Sequence, residues 1–329
     1  MDRVVVLGGF FTRITNVPVK ARKAAMRGRP ESFHIMAVVM LTVAVVFFGT
    51  PLRNICAEEM FFLGAGFGDV GVRNRNEGFM SDSHNTAYSV GLGIDLDKEG
   101  SPFRLSFRIT YLITDKDDES WDSASGGIHQ ENQSEVHGHT MEVHGYRMSR
   151  TCSLGEENAV NITPYLGGGL VYRRLKLERE SFRGTKFPIP FLVDTAYSLD
   201  DQCIIAVGGM PEAGVSVEFP RYGVECEVHL GWAFLAAKSD INYQVAVGGT
   251  EEHRYTFRTD TSGSWYMANV RITKNVDSLS LMLGIDWERM TIDDESILLF
   301  DTSSGDAYVP LPELEVTQTT AWIGVNYPF

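Results

Sequence analysis

The chain has 329 residues, 43 of them acidic and 29 basic, and a formal net charge of −14. Its first 57 residues hold eight of the bases and two of the acids, so the remainder carries −20. That balance argues against nucleic acid as a partner and suits an exported surface that meets cations or basic peptides.

From Ile35 to Phe48 runs IMAVVMLTVAVVFF, 14 residues without a charge. A spanning helix needs about 20, so the run suits the apolar region of a secretory signal. Arg22, Lys23, Arg27 and Arg29 precede it, and ICA follows, with Ala57 at a cleavage position. Residues 1–57 are therefore expected to be a signal peptide, with Met26 an alternative start, and residues 58–329 the mature domain. Cys56 follows Ile55 rather than a small residue, which rejects a lipoprotein signal. The alternative is a single membrane anchor carrying a soluble domain. Cys152, Cys203 and Cys226 remain beyond the leader, an odd count that argues against a disulfide framework.

The mature part alternates apolar and polar residues at the period of a β-strand. A first strand begins near Met60 and contains GFGDVG, Gly66 to Gly71. No helix-forming stretch follows, so these glycines read as strand packing rather than a dinucleotide site. AYSVGLGIDL is the second strand. FRLSFRITYLI, the third, puts Phe103, Leu105, Phe107, Ile109, Tyr111 and Ile113 against Arg104, Ser106, Arg108 and Thr110. Strands beginning near Met60, Ser134 and Asn161 alternate less cleanly. AGVSVEF, VECEVHLGWAF, YMANVRIT and LSLMLGIDWE continue the pattern, and AWIGVNYPF ends it. That makes ten strands. Short connections (DLDKEGSP, SRTCSLGEENAVN, PRYG, KNVDS) alternate with long ones at 70–84, 115–132, 181–203, about 238–262 and 290–317.

An even number of strands, with short and long connections in strict alternation, predicts an all-β fold: a closed antiparallel transmembrane β-barrel of ten strands. Short turns would be periplasmic, long loops extracellular, and both termini periplasmic, in the outer membrane of a Gram-negative bacterium. The rival is a soluble β-sandwich or lipocalin-like barrel, which alternates too. The leader, the terminal aromatic, and Tyr111, Trp232, Trp265, Tyr266, Trp287 and Tyr327 near strand ends, where girdles belong, favour the membrane. Arg104, Arg108, Arg271, Glu225, Glu227, His229, Asp286 and Glu288 would face inward and pair, filling the lumen. A metal at His137 and His139 has too few ligands, and the acidic stretch Thr291–Thr317 lacks the spacing of a Ca²⁺ loop. No cofactor is expected.

The ending VNYPF looks like the family-wide insertion signal of outer-membrane barrels, with Tyr327 and Phe329 read by the barrel assembly machinery. The strand count, the long third and fourth external loops, and the run from Arg254 to Thr291 resemble the omptin family. Omptins are outer-membrane endopeptidases that cut beside basic residues and need lipopolysaccharide. Their active site sets an Asp-x-Asp pair on the second external loop against an Asp-x-His pair on the fourth, activating a water. Here Asp115-Lys116-Asp117 stands at the second loop. The fourth offers Asp240-Ile241-Asn242, with asparagine in place of histidine, and then Glu251-Glu252-His253. The resemblance implies Asp115, Asp117, Asp240, Glu251 and His253 as catalytic candidates, and lipopolysaccharide as a requirement. Because the constellation is incomplete, the favoured reading is a surface barrel with a binding, adhesion or structural role. Outer-membrane lipid, lipopolysaccharide, cationic peptides or host surface molecules are its expected partners. An omptin-like endopeptidase is the alternative, and a narrow pore the second alternative.

Overall fold

Alternation at period two can bury one face of a strand, and a strand in lipid must also pair along both edges. The computed structural model describes residues 58–328 apart from 76–78, 98–101, 124–128, 156–159, 185–186, 189–194, 248–250, 277–278 and 303–304. Some strand side chains, including those of 244–247, 251–255, 295–302 and 305–310, are also outside the described set, as are the expected signal peptide and Phe329.

The strands are β1 (Glu58–Arg75), β2 (Phe79–Asp97), β3 (Phe103–Thr114), β4 (Asp117–Ser123), β5 (His129–Met148), β6 (Cys152–Leu154) and β7 (Val160–Gly184). There follow β8 (Phe187–Pro188), β9 (Thr195–Phe219), β10 (Val224–Val247), β11 (Glu251–Val276) and β12 (Leu279–Ile292). Last come β13 (Glu295–Thr302), β14 (Gly305–Leu311) and β15 (Glu313–Pro328). β3 and β4 form one barrel strand broken at Asp115–Lys116. Across the break the register against β5 moves from Ile113↔His137 to Asp117↔Ser134, one extra residue on this strand. With β3–β4 counted once, ten strands pair antiparallel with their neighbours, and β15 pairs with β1 to close the ring. Of the strands marked only loosely by alternation, β5 and β7 pair over most of their length.

Closure brings β1 and β15 close together. A Cβ on Gly68 would collide with the Thr319 carbonyl oxygen, so the GFGDVG glycines serve the seam.

The outer wall carries an apolar belt. Phe61, Leu63 and Phe67 on β1, Val90 and Leu92 on β2, and Leu281, Leu283 and Ile285 on β12 are all exposed. Of the expected girdle, Tyr111, Trp232, Tyr266, Trp287 and Tyr327 are exposed at the belt, but Trp265 is not. It is fully buried, because odd-numbered residues of β11 point into the lumen and Arg173 lies over its ring at 5.3 Å. β7, β9, β10 and β11 run for 25, 25, 24 and 26 residues. About 9–11 residues suffice to cross a bilayer, so the barrel continues well past the belt. The long connections are thus mostly strand: β1 and β2 continue to Arg75 and from Phe79, and β10 and β11 to Val247 and from Glu251.

Candidate functional site

Along β5 and β9 the inward face is polar near the short connections, apolar in the middle and polar again beyond, while Phe62, Met282 and Trp322 of β1, β12 and β15 form a small apolar cluster at the lower end. On β5 the order is His144, Val136, then Ser134 and Asn132, all buried. On β9 it is Glu212, then Met210, Ala206 and Ile204, then Gln202. The lumen is therefore filled in three storeys.

The lower storey gathers the inward charges expected from sequence. Arg104 reaches Asp95 at 3.4 Å and Glu227 at 3.9 Å. Arg173 pairs with Glu288 at 2.5 Å and donates to Gln318 at 2.9 Å. Glu225 accepts a hydrogen bond from Ser216 at 2.6 Å. Arg108 lies 5.4 Å from the Phe62 ring centroid. At the centre stands His144, with Nδ1 2.6 Å from Glu212 and Nε2 3.5 Å from Glu142. Tyr165 donates to Glu227 at 2.6 Å, and its oxygen lies 3.1 Å from His229 Nδ1. Since the single phenolic proton goes to Glu227, His229 Nδ1 is the donor in the second contact. A small cavity of about 40 Å³ adjoins Arg108, Glu142, Arg173, Arg271, Asp286 and Glu288.

The middle storey is an apolar cluster that includes Val72, Leu112, Val136, Leu175, Ile204, Leu235, Met290 and Leu314. Above it, Glu119 and Arg179 form an ion pair at 2.7 Å, both side chains essentially inaccessible. Glu119 also accepts from Ser81 at 2.8 Å, Asn132 at 2.9 Å and Asn74 at 3.2 Å. Trp121 lies beneath Arg179, 5.3 Å away, and donates its indole N–H to Asn132 at 2.7 Å.

The catalytic candidates fall elsewhere. Asp115 accepts a hydrogen bond from Tyr88 at 3.2 Å, and Tyr88 belongs to the outer wall. The extra residue at the Asp115–Lys116 break reverses the parity of the strand, so that beyond it Glu119 and Trp121 point inward. Asp117 is exposed and accepts from the backbone N–H of Asp118 at 2.9 Å. On β10 the inward residues are Ser239, Ile241 and Tyr243, which sends Asp240 and Asn242 outward. Asp240 is clasped there by Arg258 through two bonds of 2.6 Å, and this carboxylate holds the guanidinium above its ordinary pKa. Asn242 accepts from Thr256 at 2.6 Å. The side chains of Glu251 and His253 lie outside the described residues; their backbone pairs with Val247 and Val245. Asp115 and Asp240 stand on strands four places apart around the ring and face away from each other. The described side chains do not bring them onto one groove.

His137 and His139 are on the outer face of β5, His137 2.9 Å from Glu135 and His139 beside Tyr172. Among the described residues no group of His, Cys, Asp or Glu is placed to hold a metal ion, and Cys152, Cys203 and Cys226 are free. Sequence reasoning missed Glu142, His144 and Tyr146, although they recur every second residue in MEVHGYRM. It also missed Glu212, one residue before the strand read as starting at Ala213, and the pair Glu119–Arg179, hidden by the break.

No protein-family model and no curated protein matches the chain. Among solved structures it resembles the outer membrane protease OmpT from Escherichia coli, with 12% identity, a TM-score of 0.53, and coverage of 84% of this chain and 98% of that one. The likeness is one of fold: a closed ten-stranded antiparallel barrel of omptin type. The translocator domain of the autotransporter NalP from Neisseria meningitidis, at 11% identity and a TM-score of 0.40 over 91% and 98% of the two chains, is too loosely superposed to carry an argument.

Proposed function

We propose that this chain is an outer-membrane surface barrel whose lumen is closed and whose extended end, beyond the belt, binds or adheres to molecules outside the cell. The filled, three-storey lumen beneath long polar strand extensions carries this reading. An ion entering the apolar middle storey would shed its water with nothing in exchange, which favours a sealed interior over a narrow pore. In this reading both termini are periplasmic. Tyr327 and Phe329 serve the assembly machinery, and outer-membrane lipid with lipopolysaccharide surrounds the belt.

The omptin-like endopeptidase is the alternative, and the shared fold is what supports it. Against it stands the Arg258 clasp on Asp240. The refolded barrel, supplied with lipopolysaccharide and a peptide containing basic residues, is expected to cut nothing. Cleavage that falls at least ~100-fold in His253→Ala, the low end of general-base catalysis, would establish the protease instead. Discrete conductance steps in a planar bilayer would establish the pore.

A further inference from the structure

Side chains of the lower storey form two runs of polar contacts that end facing each other. In one, His144 stands between Glu142, 3.5 Å from its Nε2, and Glu212, 2.6 Å from its Nδ1. In the other, His229 donates from Nδ1 to the Tyr165 oxygen at 3.1 Å, and Tyr165 donates to Glu227 at 2.6 Å. The runs meet at Glu212 Oε2 and His229 Nε2, 3.8 Å apart. Both residues are more than nine-tenths buried, and neither of these atoms has a hydrogen-bond partner in the protein. Because His229 carries its proton on Nδ1, its Nε2 is an acceptor, and so is the carboxylate oxygen across from it. Two buried acceptors that face each other call for a donor that serves both.

The surroundings select that donor. A cavity of about 20 Å³ adjoins His144 and His229, and a space of that size holds one water. Asn269 and Arg271 line it with N–H groups, Asp95 and Glu227 with carboxylates. An anion would meet the carboxylates as well as both acceptors, and a cation would meet the guanidinium. Among the described residues no group of His, Cys, Asp or Glu is placed to hold a metal ion. Water suits both kinds of lining, since it donates twice and accepts twice. We infer that one water molecule bridges Glu212 Oε2 and His229 Nε2, donating a hydrogen to each and accepting from a neighbouring N–H. The two runs then become a single chain of polar contacts from Glu142 to Glu227, crossing β5, β9, β10 and β7. The water is a fixed component of the lower storey, held by side chains from separate strands.

The test is solid-state NMR of the intact barrel in lipid bilayers at neutral pH, with histidine isotope-labelled at its ring nitrogens. The His229→Gln variant identifies the His229 signals by their loss. In the unaltered barrel Nδ1 should carry a proton, Nε2 should carry none, and polarisation should pass from water to Nε2. Glu212→Gln puts an amide N–H where the carboxylate oxygen stood, so that it donates to Nε2 directly. The transfer from water should then disappear, with Nε2 still unprotonated and the barrel still heat-modifiable. Protons on both ring nitrogens of the unaltered barrel would mean that an imidazolium pairs with Glu212 directly, and would overturn the inference. An unprotonated Nε2 that receives nothing from water would overturn it too. So would a transfer that persists undiminished in Glu212→Gln, because Glu212 would then be no partner of the water. Should that variant fail to fold, the spectrum of the unaltered barrel decides alone.

Discussion

In the upper storey of the lumen both carboxylate oxygens of Glu119 are occupied, by Arg179 and by Asn74, Ser81 and Asn132. In the lower storey Asp95, Glu212 and Asn269 each leave a buried oxygen without a partner, and His229 leaves Nε2 in the same state, 3.8 Å from Glu212. One carboxylate ringed by short donors can be satisfied completely, while Asn74 Oδ1, Ser134 Oγ and Gln202 Oε1, unmatched in the upper storey, are neutral. Many charges spread around a curved wall share their partners at longer range, and single atoms go unmatched. The upper storey is therefore a knot tied around a single carboxylate, that of Glu119. The lower one is a mesh in which neighbours substitute for each other.

The largest expected effect is at the knot. Arg179→Ala leaves Glu119 buried and unpaired and should cost about 3–5 kcal/mol, read as a lowered midpoint of urea unfolding from micelles. Arg104→Ala should cost less than half as much, because Arg108 and Arg271 line the same cavity as Asp95 and Glu227. Equal losses would break the comparison. Next comes the apolar storey between them, where Leu175 is 1% exposed. Leu175→Ala should cost about 2–5 kcal/mol through the cavity it leaves, and a negligible loss would mean that the two polar storeys meet directly. His144→Gln keeps a polar side chain but removes the ring that faces both Glu142 and Glu212. Its expected cost is about 1–3 kcal/mol by the same urea titration, and a cost as large as that of Arg179→Ala would turn the mesh into a second knot.

The smallest effect lies at the rim, outside both storeys. His129 sits 2.9 Å from Asp122 and 3.0 Å from Glu131, and these carboxylates, Asp122 first, raise its pKa above the ordinary value. A raised folded-state pKa means that the contacts contribute fully below the unfolded value of about 6.5 and fade as pH rises through the folded one. Amide exchange at the ends of β4 and β5 should then quicken with pH beyond its ordinary chemical trend. His129→Gln should follow the chemical trend alone; identical profiles for the two proteins would remove His129 as the cause.

Much of the barrel was legible because alternation is a local property. In FRLSFRITYLI it separates the lumen from the belt without reference to any partner strand. The break at Asp115–Lys116 was not legible, since an inserted residue leaves the composition unchanged while reversing which side chains point inward. For the same reason Glu119 and Trp121 went unnoticed. Trp265 shows a different limit. It lies next to Tyr266 in the sequence, both are aromatic near a strand end, and only register decides which of them meets lipid.

The sequence by itself determined the number of strands and their antiparallel order, because both follow from period-two spacing and connection length. The outward placing of the apolar face rested also on the leader and the aromatics near strand ends. Tertiary structure alone decided which charges meet inside. Glu212 reaches His144 across 68 residues of chain, and Arg173 reaches Glu288 across 115. Such contacts are set by ring closure and by the stagger between strands, and these accumulate over every register and bulge in the wall. Asp240 belongs to the same class: its neighbours in sequence suggested a catalytic pair, and the register of β10 against β11 gave it to Arg258.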